Sequence, residues 1–236
     1  MTAIDYIYEF LAVYSGMQLG IPSCNDFVLT GQFGFNVHDD INNIHLENEV
    51  VNLRIEVPFD YPHEIPKIYE ASGGELVPRD ISYHKYQNGQ FCLGSPLELR
   101  AIIAENPSLL FFVENTIVPF IVAARYKGAG RNNGAFIYGE LKHGAEGLIE
   151  DFERCFQLKF DMKQIIEFFN LLGKKKRIAN KLPCACGSGQ MVRKCSCHSF
   201  FTRARNAPRY SRSMYRALAC DYKTLHDKKA NEHADI

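Results

Sequence analysis

Four of the eight cysteines crowd into residues 184–197, at Cys184, Cys186, Cys195 and Cys197, and His198 follows directly. Thiolate and imidazole donors paired on either side of a tight turn are what zinc takes in a tetrahedron at about 2.0–2.3 Å. Gly187 and Gly189, between the pairs, are free to adopt positive φ, so the second pair can fold back onto the first. Five donors for four places fit a closed structural site better than a catalytic one, which keeps a position open to water. The expected cofactor is therefore zinc, held by Cys184, Cys186, Cys195 and a fourth ligand that is Cys197 or His198. Cys24, Cys92, Cys155 and Cys220 are scattered singly, and a lone cysteine is ordinarily a small buried apolar residue.

A second segment with chemical content is Tyr83-His84-Lys85-Tyr86-Gln87-Asn88-Gly89-Gln90-Phe91-Cys92-Leu93. It sets Cys92 just after an Asn88-Gly89 turn and His84 eight residues before the thiol. The spacing alone puts no distance between Cys92 and His84 in space. Further on, residues 138–147 combine glycines, Glu140, His143 and Glu146. They read either as a turn capping a helix or as a site wall with His143 as proton carrier.

The cysteine string resembles the SecA-type (SEC-C) zinc motif, which ends the SecA preprotein translocase and recurs in many bacterial proteins. That motif runs Cys-x-Cys-Gly-Ser-Gly, then, with eight residues between the second ligand and the third, Cys followed by Cys or His. Cys184, Cys186 and Cys195 match in type and spacing, whereas Ser196 stands where the adjacent fourth ligand belongs.

Residues 2–125 resemble the ubiquitin-conjugating enzymes, and in particular their divergent bacterial branch. Tyr61-Pro62-His63-Glu64-Ile65-Pro66 is similar to that family's Tyr-Pro-x-x-Pro-Pro strap, and Asn88-Gly89-Gln90-Phe91-Cys92-Leu93 to its Asn-Gly-x-Ile-Cys-Leu. The resemblance implies a catalytic set of Cys92, His84 and Asn88, with Cys92 as a thioester-forming nucleophile. His84 stands where the family has its transition-state asparagine, and no tryptophan exists here to supply the family's Trp-Ser-Pro. The implied partners are a ubiquitin-like modifier and its activating enzyme. An ordinary thiol is only a few per cent ionised near neutrality, so His84 is expected to activate it or to donate to the oxyanion. Because two large partners must reach it, Cys92 is expected to be the most accessible thiol outside the zinc cluster. A non-catalytic binder of ubiquitin-like proteins is the rival on the same fold.

These residues need a frame to hold them. Apolar positions at Ile4, Ile7, Tyr8, Leu11 and Tyr14 predict an amphipathic helix ended near Gly16. Phe27–Leu29, Phe33–Val37 and Val50–Val57 predict strands, with Asp39-Asp40 and Asn42-Asn43 marking turns. Three prolines between Pro58 and Pro66 enforce an extended strap. Helical spacing returns over Leu97–Ala104, Leu109–Arg125 and Gly147–Phe169. The order of helix, antiparallel meander and helices defines an α+β domain.

Charge divides the chain. Residues 1–173 carry 12 Lys and Arg against 23 Asp and Glu, whereas residues 174–236 carry 15 against 4. This places a boundary near Gly173, giving a ubiquitin-conjugating-like domain over 1–173 and a zinc-binding basic module over 174–236. Phe200–Lys229 has helical spacing, with Arg203, Arg205, Arg209, Arg212 and Arg216 interleaved with Phe201, Tyr210 and Tyr215. Such a face suits nucleic acid or an acidic protein surface; a solvated face is the plainer reading. The apolar run Leu109–Ala124, broken by Glu114, Asn115 and Pro119, is expected to be a buried helix and not a membrane span. Met1-Thr2-Ala3-Ile4-Asp5 has no basic stretch leading an apolar run, so the expected location is the cytoplasm.

Overall fold

Alternation of apolar and polar residues along residues 26–58 produces one long antiparallel hairpin, and the rest of the first unit is laid on it. The computed structural model describes residues 1–71, 77–138, 142, 144–207 and 211–232. The fold is α+β, with a four-stranded antiparallel sheet in the order β1-β2-β3-β4 and, among the described residues, eight helices. Two units form: residues 1–93 with 106–140, and residues 94–105 with 141–236.

In the first unit, α1 (Ala3–Val13) opens with a capping box in which Thr2 and Asp5 exchange hydrogen bonds. It buries Ala3, Tyr6, Ile7 and Phe10, whereas Tyr8 of the expected face is exposed. The strands are β1 (Met17–Leu19), β2 (Asp26–Asp39), β3 (Ile44–Pro58) and β4 (Lys67–Glu70). The two runs 27–29 and 33–37 are one strand, β2, with a register shift between Phe35 and Val37. Asp39 closes the β2–β3 turn by accepting from the Asn42 backbone N–H at 3.1 Å and its amide at 2.8 Å. Gly31 has φ of 144°, and a Cβ there would stand 2.2 Å from the Gly16 carbonyl oxygen, so β1 can meet β2 only over glycine.

The core of this unit stacks Tyr14 on Phe33 at 4.5 Å and Phe91 on Phe120 at 4.6 Å. Phe120 belongs to α3 (Leu109–Gly128), which is long and apolar enough by length and composition to cross a bilayer. Its Leu109, Phe112, Val113, Thr116, Ile117 and Phe120 to Ala124 are nevertheless buried within the protein, as expected of a core helix.

The second unit holds α2 (Pro96–Glu105), α4 (Gly144–Phe156), α5 (Met162–Gly173), α6 (Lys176–Ala179), α7 (His198–Asn206) and α8 (Arg212–Glu232). The helical run expected over Gly147–Phe169 is thus two helices. Asp161 starts α5 with a capping box, accepting from the Gln164 N–H at 2.8 Å while Gln164 accepts from the Asp161 N–H at 3.0 Å.

The unit boundary corrects the division at Gly173. Phe152, Phe168, Phe169, Phe201, Tyr215 and Tyr222 form one buried cluster with Cys184, Val192, Cys195 and Cys197, so a cut at Gly173 would split a single core. Charge composition changes at Gly173, but the apolar faces that meet lie on both sides of it.

Within this unit Arg100 of α2 grips Asp221 of α8 in a fork, Nε to Oδ2 at 2.7 Å and Nη2 to Oδ1 at 3.3 Å. The side chains are only 6% and 24% exposed. Replacing Asp221 with alanine is expected to lower the stability of the second unit by about 2–3 kcal/mol, since it strips a mostly buried guanidinium of its carboxylate. Urea unfolding followed by helix signal reads this, and a loss below about 0.5 kcal/mol would mean that the fork is no more than a surface pair.

Candidate functional site

The cysteine cluster is built by a short hairpin followed by one turn. Antiparallel pairing of Pro183 with Met191, with Cys184 N–H donating to Gln190 O at 2.8 Å and Val192 N–H to Leu182 O at 2.9 Å, brings the two cysteine pairs face to face. Gly187 and Gly189 close the tip at φ of 75° and 73°, the left-handed region that their lack of a Cβ permits. Residues 192–194 make a 3-10 turn, after which Cys195 O accepts from His198 N–H at 3.0 Å as the chain enters α7.

The four sulfurs converge: Sγ atoms of Cys184, Cys186, Cys195 and Cys197 all lie within 4.8 Å of one another, and Cys186 and Cys195 are 3.5 Å apart. Zinc–sulfur bonds of about 2.3 Å in a tetrahedron place sulfurs about 3.8 Å apart, so these residues could hold a metal ion, and zinc is compatible with them. The cluster takes Cys197 as its fourth member and not His198, whose buried Nδ1 has no hydrogen-bond partner among the described residues.

Outer contacts already favour negative charge on Cys195. Burial opposes its ionisation, but the Cys197 N–H, the Ser188 hydroxyl and the neighbouring thiols outweigh this and bring it down to about 6. Burial pushes Cys197 up to about 11 and Cys184 up further, as expected of thiols sharing a site with one thiolate.

The Cys92 loop lies in the first unit. Tyr86 N–H donates to Gln90 O at 2.9 Å and Gly89 N–H to Tyr86 O at 2.8 Å, making a tight turn at Asn88-Gly89. Phe91 N–H donates to Ile68 O at 2.9 Å, which pins the loop to β4, and Cys92 N–H donates to His84 O at 2.7 Å. Cys92 is half-buried, whereas Cys24, Cys155 and Cys220 are exposed. This corrects the expectation that Cys92 would be the most accessible thiol outside the cluster, because its loop is strapped down at both Phe91 and Cys92.

The structure brings the backbone of His84 to Cys92, and sets the His84 imidazole edge to face with Phe136 at 5.0 Å. His84 itself is left-handed at φ of 54°, ending the 3-10 turn Ile81–Tyr83. Asn88 is exposed, and its Oδ1 accepts from Gln90 N–H at 3.0 Å, a local turn bond that shapes the loop. The side chain at the thiol is one that sequence reasoning passed over. Tyr86 neighbours Cys92, and its phenol is pushed well above the ordinary range by burial first and the Cys92 sulfur second, so it stays neutral. No spacing rule marks such a tyrosine.

No protein-family model, curated protein or solved structure matches the chain.

Two other expected features fare differently. Residues 139–141 and 143, His143 among them, lie outside the described residues. The Phe200–Lys229 stretch is two helices, and its Phe201 and Tyr215 are core residues at 0% and 1% exposure, not a stacking surface for bases. Tyr210 and Arg209 lie outside the described residues. Arg203 is engaged at home, donating to Phe156 O at 2.9 Å at the end of α4.

Proposed function

We propose that the chain carries an acyl group on Cys92 as a thioester, in the manner of a ubiquitin-conjugating-type transferase, with a zinc-stapled helical unit as a recruitment module. The observation that carries this reading is the setting of the thiol. Cys92 is half-buried on a loop fixed by hydrogen bonds to Ile68 O and His84 O, beside the Tyr86 hydroxyl. In support, α1 and strands β1 to β3 precede the proline strap, and β4, the cysteine loop, α2 and the long helix α3 follow it.

In the proposed reaction the Cys92 thiolate attacks the C-terminal carbonyl carbon of a modifier held as a thioester on its activating enzyme. The new S–C bond forms as the old one breaks, and the activating enzyme's sulfur leaves as a thiolate that takes up the proton the Cys92 thiol released on ionising. An acceptor amine then attacks the same carbon, forming an amide, and the Cys92 thiol is regenerated. The Tyr86 hydroxyl serves as donor to the thiolate, a role given to His84 by sequence alone. The zinc of this reading sits in a closed all-sulfur set, which supplies a four-point cross-link and no open position for a reactant.

A second reading, binding of ubiquitin-like proteins without catalysis, draws on the engagement of Asn88 with Gln90 N–H and of the His84 ring with Phe136. One assay separates the two. With ATP, a ubiquitin-like modifier and its activating enzyme, the wild type should form a reductant-sensitive adduct that Cys92→Ala abolishes and Cys92→Ser converts to a reductant-resistant ester. Tyr86→Phe should slow adduct formation about 10-fold, the worth of one hydrogen bond to a charged group. If the modifier binds but no adduct forms, the non-catalytic reading takes its place.

A further inference from the structure

An open, solvent-facing cavity of about 410 Å³ in the second unit is lined by five cations, Lys174, Lys175, Lys176, Arg205 and Arg212. Three successive lysines leave the C-terminal end of α5, Arg205 stands in the last turn of α7, and Arg212 opens α8. Gly173 makes this convergence possible. A Cβ there would come within 2.6 Å of Arg216 Cγ and 3.5 Å of Arg212 O, so the first turn of α8 lies directly against the end of α5.

Cations beside a helix C-terminus have an ordinary use, since they complement its carbonyl dipoles. Arg205 does this, donating from Nη2 to Leu171 O at 3.1 Å. That leaves most of the charge unexplained. Arg205 Nη1 is buried with no hydrogen-bond partner, and among the described residues no carboxylate pairs with any of the five. The first turn of α8 has no acidic residue to offset its own positive end. Like charges gathered around one cavity repel, and an anion of several charges relieves the repulsion.

We propose that this cavity binds a compact oligophosphate group. Its size suits a small ligand, and its five cations outnumber what a single carboxylate or sulfate could engage. A chain of two or three phosphates presents enough oxygens in a short span to meet several cations at once. An extended nucleic-acid backbone fits less well, because among the described aromatic side chains of α7 and α8 Phe201, Tyr215 and Tyr222 are buried and half-buried Phe200 lies under the Arg203 guanidinium at 5.0 Å. The site shares no residue with the Cys92 loop or with the four-cysteine cluster.

The test is calorimetric titration of the full chain with sodium tripolyphosphate, ATP and orthophosphate, at about 50 and 200 mM salt. Tripolyphosphate should bind once per chain, at least about 10-fold tighter than orthophosphate, and weaken with salt. Lys175 and Lys176 are exposed, so Lys175→Glu with Lys176→Glu should keep the fold and weaken binding about 10²-fold, as two lost charge-assisted bonds require. Lys163→Glu with Lys181→Glu makes the same charge change at exposed positions elsewhere, and should change affinity less than about threefold. Equal affinity for ATP and tripolyphosphate supports the phosphate chain as the group read; tighter ATP supports a nucleotide at the same site. Orthophosphate binding as tightly as tripolyphosphate, equal losses in both double variants, or tighter binding of a 5′-hydroxyl oligonucleotide would each overturn the proposal.

Discussion

Removing the metal is expected to unfold the second unit and leave the first one standing. Cys184, Cys195 and Cys197 are themselves members of the buried cluster that contains Phe168, Phe169, Phe201 and Tyr215. A metal there would not merely tie a surface hairpin, because opening the four-sulfur set would uncover the face on which α5, α7 and α8 meet. Structural zinc bound by four such ligands contributes on the order of 10 kcal/mol, comparable with the whole stability of a domain. Cys195→Ser should have nearly the same effect as a strong chelator, since that sulfur accepts the Cys197 N–H at 3.5 Å and lies closest to Cys186. Hydrogen exchange read by mass spectrometry resolves the outcome by segment. Residues 144–207 should lose protection while residues 26–58 keep theirs. Metal analysis of reduced, chelator-free protein should find one zinc per chain, and unchanged protection after full metal removal would sink the idea.

The second large effect is expected in the first unit, at Lys85. Its ammonium is 1% exposed and its partner Glu70 is 2% exposed, with Nζ to Oε2 at 2.7 Å and a second bond from Nζ to Val77 O at 2.7 Å. Taking both charges from water is costly, so the pair itself is not a large net gain, but breaking it strands a buried charge. Glu70→Ala is therefore expected to cost about 3–5 kcal/mol, whereas the double variant Glu70→Leu with Lys85→Met should recover much of that loss. Urea unfolding of the three proteins measures this. A single-variant loss under about 1 kcal/mol would show that the ammonium finds water easily. Lys85 lies between His84 and Tyr86 and pairs with Phe91 across the loop, so Glu70→Ala should also disturb the position of Cys92.

The α+β class, the N-terminal helix and the buried helix over residues 109–124 were legible in the sequence as periodic apolar patterns, whereas the long hairpin was legible only as the shorter runs 27–29, 33–37 and 50–57, because Gly31 and the polar residues 47–49 break its alternation. The convergence of the cysteines was legible for a local reason: Cys184 to Cys197 lie so close along the chain that two glycines and one turn suffice to gather them. The break between α4 and α5 had a local signal that the apolar spacing hid, the Asp161 and Gln164 box.

What only the tertiary structure decided are features whose partners lie far away in sequence. Strands β1 and β4 have three and four residues and exist because β2 and β3 offer them hydrogen-bonding edges. The fourth member of the cysteine cluster, Cys197 in place of His198, follows from the entry of the chain into α7. The settings of His84 and Asn88 were also the fold's, a left-handed backbone at one and a local turn bond at the other. The boundary between units was hidden because charge follows composition along the chain, whereas a unit is defined by which apolar faces exclude water together. Lys85, an unremarkable cation in a polar loop when read in sequence, became a buried one because Glu70 and the Val77 carbonyl were brought to it by the fold.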